Sequence, residues 1–252
     1  MRTGPAAAPA RFLTSVPLSK NKRSGSASPV AFFGDFFSLV KKIKPRFLIV
    51  YGPTEEPLDS VRYISNSSTG TMGRSLVAAV KKRGCGVKIV ECPKDARTAR
   101  DLQKILIRFL SGCDVLIMAA AVCDARPKYF SRHKIKKENL HAIPLVKNPD
   151  ILGSLKKKKK KHQVFIGFGL ESSRILKNGF KKVVSKGLDL IVLQKVTNNS
   201  TPFGEKPVSG LFLDHEKKSR KFHSISKNKL SKILVHEAEK IYRAKLGSQS
   251  QK

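Results

Sequence analysis

Short unbroken apolar runs alternate along this chain with stretches whose apolar residues recur every three or four positions. The runs suit strands buried on both faces, and the spaced stretches have the period of amphipathic helices. Phe47 to Tyr51 opens the series as a strand, which Gly52-Pro53 breaks. Met72, Leu76, Ala79 and Val80 then carry a helix over about 72–83, stopped by Gly84. A strand from Val87 to Glu91, a helix near Ala99 to Leu110 and a fully apolar strand from Val115 to Ala121 follow. Asn148 to Leu155 predicts a short helix with Asn148 as its cap and Pro149 at its first position. Beyond it come a strand from Val164 to Leu170, a helix from Glu171 to Lys186 and a strand from Leu188 to Leu193. Leu211–Leu213 and Lys221–Ile225 suit a hairpin, and a closing helix over about Ser226 to Lys245 sets Leu230, Leu234, Ala238 and Ile241 on one face. This alternation predicts an α/β fold: a doubly wound, Rossmann-like, mostly parallel sheet flanked by helices, with a short late β-hairpin. GxGxxG is absent, so no dinucleotide coenzyme is implied.

The polar stretch between the first strand and the first helix is long. Connections of this kind usually take about 2–6 residues, and long ones in compact domains are usually functional. Gly52 to Gly70 carries Asp59, Arg62, Asn66, Ser67, Ser68 and Thr69 just ahead of a helix N-terminus. Loop amides and the positive end of a helix dipole suit an anion such as phosphate, and an ordinary βα connection is the plain alternative. The Lys156–Lys161 run reads as a solvated loop or frayed helix end, with polyanion contact as the other use of six like charges.

Composition narrows the class. The chain has 252 residues, with 51 Lys and Arg against 18 Asp and Glu, a formal charge of +33. Such a balance predicts salt-sensitive, non-specific attraction to polyanions. Aromatics are only 7%, Trp is absent, and no RNP-like or zinc-finger spacing occurs, which argues against a sequence-specific nucleic-acid reader. Cys85, Cys92, Cys113 and Cys123 show no metal spacing and mostly lie in or beside apolar runs, as reduced, buried thiols of a cytoplasmic protein would. No apolar run approaches the roughly 18–20 residues of a membrane span, so no membrane partner is expected. Residues 1–45 form a basic extension rich in Ala, Pro and Ser, read as a disordered tail or an early start, with an organelle transit peptide less favoured. Residues 46–246 would form the working domain and 247–252 a tail.

The string GPTEEPLDSVRYISNSSTGTMG, from Gly52, resembles the signature loop of bacterial phosphopantothenate–cysteine ligases (phosphopantothenoylcysteine synthetases), approximately GGTxEPIDxVRxISNxSSGxMG. AAAVCDARP (Ala119–Pro127), HKIKK (His133–Lys137), VKNPDIL (Val146–Leu152), GFGLES (Gly167–Ser172) and the Lys182/Lys186 pair follow in the family's order. The resemblance covers roughly Arg46 to Leu246. Departures are Pro53, Glu55, Thr71, Leu193-Gln194-Lys195 where Ala-Asn-Asp is frequent, and a missing Asn in Phe203 to Pro207.

The resemblance implies a ligase of coenzyme A biosynthesis that joins 4′-phosphopantothenate to L-cysteine with CTP through an acyl-cytidylate, releasing pyrophosphate and CMP. Asn66 and Lys134 would be catalytic, Asn66 toward the acyl group and Lys134 toward the triphosphate, on a segment able to close as a flap, with Lys136 and Lys137 assisting. Gly52, Arg62, Asn66, Ser67, Ser68 and Gly70 would bind the phosphorylated acid. Met118, Ala119, Ala120, Asp124, Lys134, Pro149, Asp150, Ile151, Leu152, Phe168, Lys182 and Lys186 would bind the nucleotide, and the last two, at i and i+4, would meet phosphates or only water. Glu171 would order the site. Mg²⁺ would arrive with the triphosphate, its protein ligands unknown. The resemblance further implies a homodimer, no flavin, and a separate phosphopantothenoylcysteine decarboxylase in the pathway. An ATP-using version of the same ligase and a catalytically inactive basic binding module are the alternatives.

Overall fold

The expected buried runs become the centre of a sheet. The computed structural model describes residues 43–196 and 202–249, so most of the expected N-terminal extension and the last residues of the tail lie outside it. In chain order the elements are strand β1 (Phe47–Pro53), strands β2 (Glu55–Pro57) and β3 (Tyr63–Ser65), helix α1 (Thr71–Lys82), β4 (Val87–Glu91) and helix α2 (Ala99–Phe109). Strand β5 (Val115–Ala121), short strands β6 (Ala125–Pro127) and β7 (Leu145–Lys147), helix α3 (Ile151–Lys156) and β8 (Val164–Glu171) follow. Helix α4 (Ile175–Lys186), β9 (Leu190–Lys195), hairpin strands β10 (Val208–Asp214) and β11 (Ser219–Ile225) and helix α5 (Lys227–Gln249) complete the fold.

The main sheet has 7 strands in the order β11-β10-β9-β8-β5-β1-β4. Strands β4, β1, β5, β8 and β9 run parallel, and β10 and β11 join antiparallel at one edge. Alternation along each strand divides the core in two. Phe47, Ile49, Val115, Ile117 and Ile166 pack with Leu76 and Val80 of α1 and Leu230, Leu234 and Ala238 of α5. Leu48, Val50, Leu116 and Phe165 face the other way, onto Leu102 and Leu106 of α2, Ile151 and Leu155 of α3 and Val183 of α4. Helices cover both faces, as the doubly wound expectation requires. All four cysteines are free and buried, and burial pushes the Cys92 and Cys113 thiols up to about 12. No helix among the described residues is long and apolar enough to cross a membrane.

Several local expectations need correction. Helix α3 is capped by Asp150, whose Oδ1 accepts the Gly153 N–H at 3.1 Å, so Asn148 and Pro149 precede the helix. Helix α4 starts at Ile175 instead of Glu171, because β8 runs on to pair Glu171 with Lys195 and Arg174 turns the chain at φ 46. Strand β9 begins two residues later than expected, after Gly187 closes α4 in the left-handed region. The long polar loop contains the small β2–β3 hairpin, and β6 pairs antiparallel with β7.

The lysine run is only partly solvated. Lys159 is partly buried, its Nζ donating to Gly187 O at 2.7 Å and to Asp189 Oδ2 at 2.7 Å, 4.8 Å from the Phe165 ring centroid. From the other side Lys245 of α5 reaches Asp189 Oδ1 at 2.6 Å. Lys156 donates to Val184 O at 2.8 Å, whereas Lys157, Lys158, Lys160 and Lys161 are exposed. Replacing those four exposed lysines with Gln is therefore expected to leave Tm within about a degree of the parent, since surface changes usually stay within ~0.5 kcal/mol. Lys159→Met should cost on the order of 2 kcal/mol, less than breaking a buried pair outright because Lys245 still serves Asp189. Equal Tm for the two variants by calorimetry would contradict this division of the run.

Candidate functional site

Strand β1 lies between β4 and β5, so the chain leaves β1 in one direction and returns past it in the other. In open α/β sheets such a reversal leaves a crevice at the carboxyl ends of the strands. A cleft of about 660 Å³ opens there, within the range of roughly 300–1,000 Å³ typical of small-molecule sites. Its wall at the start of α1 is formed by Asn66 and the stretch from Ser68 to Gly73. Gly73 lets the helix lie against β1, because a Cβ there would sit 2.0 Å from Tyr51 Cβ. Gly70 takes the N-cap position at φ 72 with no side-chain cap, and the first turn carries no acid. The positive end of α1 is thereby left for a ligand.

The opposite wall comes from the end of β5. Met118, Ala119 and Ala120 are small or slender, and Ala121 to Asp124 continue the rim. This turn is held from three directions. Asn66 Nδ2 donates to Ala121 O at 3.1 Å, Cys123 N–H to Thr54 Oγ1 at 3.0 Å, and Asn148 Nδ2 to Cys123 O at 2.9 Å. Behind it Glu56, only 1% exposed, accepts the Ala99 N–H at 2.8 Å, and burial raises its pKa above the ordinary carboxylate value. Asp124 is exposed at the rim.

Lys147 to Leu152, Phe168 to Leu170, Lys182, Lys186 and Gln194 close the far side. Lys182 and Lys186 each face a carboxylate of the chain itself. Lys182 Nζ lies 2.6 Å from Glu171 Oε1, and Lys186 Nζ lies 3.3 Å from Asp150 Oδ1. Burial works against the Glu171 charge, but Lys182 and Asn178 outweigh it and hold its pKa low.

Of the residues singled out in the sequence, the cleft gathers Asn66, Ser68, Gly70, Met118, Ala119, Ala120, Asp124, Pro149, Asp150, Ile151, Leu152, Phe168, Lys182 and Lys186. Gly52, Arg62, Ser67 and Lys134 are not on its lining. Gly52 sits at φ +89 with the Cys92 carbonyl 2.1 Å from where a Cβ would be, which explains the glycine by packing. Arg62 is engaged with Asp59: its Nε and Nη2 donate to Asp59 Oδ2 at 3.0 and 2.5 Å. Those bonds hold the Asp59 carboxyl well below the usual range. Together the pair grips one residue of the KIKK segment from both sides, Asp59 accepting the Ile135 N–H at 3.1 Å and Arg62 donating to Ile135 O at 2.6 Å. Lys134 is the exposed neighbour of that gripped residue. Sequence reasoning missed Lys147, Asn148 as a site residue, and Lys227, which reads as an ordinary surface lysine at a helix start. Among the described residues no group of three or more His, Cys, Asp or Glu could hold a metal ion.

Known proteins resemble this chain in sequence and in structure. A cysteine/cysteine sulfinic acid decarboxylase from an unknown prokaryotic organism is 33% identical over 203 residues, 75% of this chain and 56% of that protein. The coenzyme A biosynthesis bifunctional protein CoaBC of Borreliella burgdorferi is 31% identical over 204 residues, 75% of this chain and 51% of that protein. The chain thus spans about half the length of the curated relatives it matches. A crystal structure of the C-terminal domain of a CoaBC protein superposes with a TM-score of 0.63 at 25% identity, covering 78% of this chain and 94% of that one. The family model of the DNA/pantothenate metabolism flavoprotein C-terminal domain matches residues 43–242, from the lead into β1 to well inside α5, and to that family this chain belongs.

Proposed function

We propose that this chain is a ligase that condenses 4′-phosphopantothenate with L-cysteine at the expense of CTP, a step of coenzyme A biosynthesis. The observation that carries the reading is convergence: the ISNSSTG loop, the MAAAVCD strand end and the KNPDIL turn, far apart in sequence, line one cleft. A carboxylate is a poor electrophile because oxide would have to leave. Its oxygen therefore attacks the α-phosphorus of CTP, the bond to the β-phosphate breaks, and pyrophosphate departs. The amine of cysteine then adds to the acyl carbon, loses a proton, and expels CMP. Every step is a substitution that moves no net electrons, so a flavin has no part in it, and decarboxylation of the product belongs to a separate activity.

Positioning and electrostatics are the work left for the protein. Asn66 donates one amide N–H to Ala121 O, and the other meets only the weakly accepting Cys123 sulfur at 3.9 Å, which an acyl oxygen can replace. The start of α1 receives phosphate oxygens. Lys182 and Lys186 exchange Glu171 and Asp150 for the nucleotide's phosphates, and the half-buried Phe168 packs on its base. The segment gripped at Ile135 closes over the nucleotide and brings Lys134 to the triphosphate. Mg²⁺ with the triphosphate would need few protein ligands, for which the exposed carboxylate of Asp124 is suited, and it would neutralise phosphate charge. A homodimer fits Val61, Tyr63, Tyr129 and Phe130, exposed apolar side chains on the segments that the Ser131 N–H to Leu58 O bond joins. The decarboxylase activity of one relative is not carried over, because this chain spans only 56% of that protein.

The reading is tested by incubating the protein with 4′-phosphopantothenate, cysteine, Mg²⁺ and CTP or ATP, following pyrophosphate and the amide product. CTP is expected to exceed ATP in kcat/KM by roughly tenfold or more, because a wrong base leaves buried polar groups unpaired. Gln194, buried on the cleft wall, is one such group. Equal use of both nucleotides would overturn the preference and point to the changes at Gln194 and Lys195. No amide with either would overturn the ligase reading.

A further inference from the structure

Lys227 stands apart from the other lysines of this basic chain. It is the first residue of α5, yet only 7% of it is exposed, and it lies on the lining of the cleft. Among the described residues no carboxylate forms an ion pair with it. Its Nζ donates instead to two backbone carbonyls, Pro202 O at 2.8 Å and Gly204 O. An ammonium has three N–H donors, so one is left over. The loop it holds borders the cleft through Pro202 and Phe203 and is pinned at its other end, where Thr71 Oγ1 donates to Glu205 Oε1 at 3.1 Å. Thr71 is the first residue of α1. The buried ammonium and the uncapped positive end of α1 therefore share one cleft, bridged by the loop.

A buried ammonium that forms no ion pair is costly even with Glu205 near enough to favour its charge, and proteins keep one where function supplies a closer partner. Burial holds Lys227 below the ordinary lysine range, against an opposing pull from Glu205. The Glu205 carboxylate stands beside the start of α1 through Thr71 without pairing with Lys227, so an anion entering the cleft there meets both the ammonium and the helix end.

We propose that Lys227 is a substrate-contacting residue whose ammonium meets a phosphoryl oxygen of the ligand, while the same group holds the Pro202–Glu205 loop against the cleft. The identity of the ligand rests on the ligase reading. It gives two sources for that oxygen, the triphosphate of the nucleotide and the phosphate of the phosphorylated acid.

Binding separates these sources and does not depend on turnover. Wild type, Lys227→Met, Lys227→Arg and the exposed control Lys240→Met are titrated calorimetrically with inorganic triphosphate, CTP and 4′-phosphopantothenate, each alone and at two salt concentrations. Lys227→Met is expected to weaken at least one of the three by roughly tenfold or more, as loss of a charged hydrogen bond does, and with a shallower salt dependence. Weakening of triphosphate and CTP together assigns the contact to the nucleotide, and weakening of the acid alone assigns it to that phosphate. Lys227→Arg should recover part of the loss, and Lys240→Met should match wild type. If Lys227→Met does not fold, the wild-type 15Nζ resonance of Lys227, assigned by its absence in Lys227→Arg, is expected to shift when either phosphorylated ligand is added. A folded Lys227→Met that binds all three ligands like wild type, an unmoved resonance, or a wild type that binds none of them overturns the proposal. A wild type that binds through Lys227 yet forms no amide overturns the ligase reading and leaves this contact standing.

Discussion

Lys134→Gln and Asn66→Asp are expected to stop the reaction at different steps. Asn66 lines the cleft with its amide held on Ala121 O, close to where an acyl group beside the nucleotide would lie. Asn66→Asp removes the donor and sets a negative charge where an oxyanion develops. Losing one such donor costs on the order of 3 kcal/mol, roughly a hundredfold or more in the second half-reaction. That variant should still release pyrophosphate in a burst and accumulate the acyl-cytidylate, which mass spectrometry of a quenched reaction detects. Lys134 is exposed on the adjoining segment, so on the proposed reading its cation would act only when that segment closes. Lys134→Gln should suppress the first half-reaction and leave no intermediate to trap. A folded Asn66→Asp with neither burst nor intermediate would remove Asn66 from its role. Intermediate accumulating in Lys134→Gln would exchange the two assignments. A Lys134→Gln enzyme with unchanged kcat would show that the segment does not close on the nucleotide.

Gly52→Ala is expected to fail in folding and not in substrate affinity. A Cβ at Gly52 would lie 2.1 Å from the Cys92 carbonyl oxygen, and the backbone sits at φ +89, where L side chains are strained. Neither neighbour has room to give, because the Cys92 N–H donates to Tyr51 O at 2.8 Å and ties the end of β4 to β1. Strain and overpacking together should cost on the order of 4 kcal/mol. In a domain of this size that is a drop of roughly 10 °C in Tm and a large share of a typical total stability. Gly112→Ala, where nothing lies within 4 Å of an added Cβ, is the matched control. Thermal unfolding followed by circular dichroism decides the matter. A Gly52→Ala protein with parental Tm but weakened phosphopantothenate binding would return Gly52 to the substrate contacts.

The central strands were legible because each is a run buried on both faces, and the half-exposed edge strand β4 by its Val and Ile residues. Val87–Glu91 and Val115–Ala121 match their sequence limits, since no competing pattern exists there. The small strands were not legible. Glu55-Glu56-Pro57 and Ala125-Arg126-Pro127 are three-residue strands with charges and a proline, held by side chains such as Glu56 that find partners far away in sequence. Asn148 and Asp150 both look like caps, and the choice between them depends on Cys123 O, which takes the Asn148 amide. For the site, the motif residues carried their location well where they meet on strand ends and helix starts. They failed where a motif residue supports the site from behind, as Arg62 does through Ile135. Lys159 and Lys227 were lost among 51 basic residues, because burial of a lysine is decided by carbonyls and carboxylates that only the folded chain brings near.

Among the described residues the main sheet ends on β4 and β11, which bears on how this chain behaves in a crowd. Strand β4 is only five residues long, and its Lys88 lies over the Phe109 ring, 3.6 Å from the centroid. Strand β11 carries Arg220, Lys221 and His223, and its pairing with β10 shifts register between Val208 and Gly210. Short, basic, irregular edges are poor templates for another strand. Copies that met β11 to β11 would set like charges side by side before gaining a backbone bond. Any stable pairing of two chains therefore has to come from another surface, and protein held at high concentration should resist growing into extended sheets.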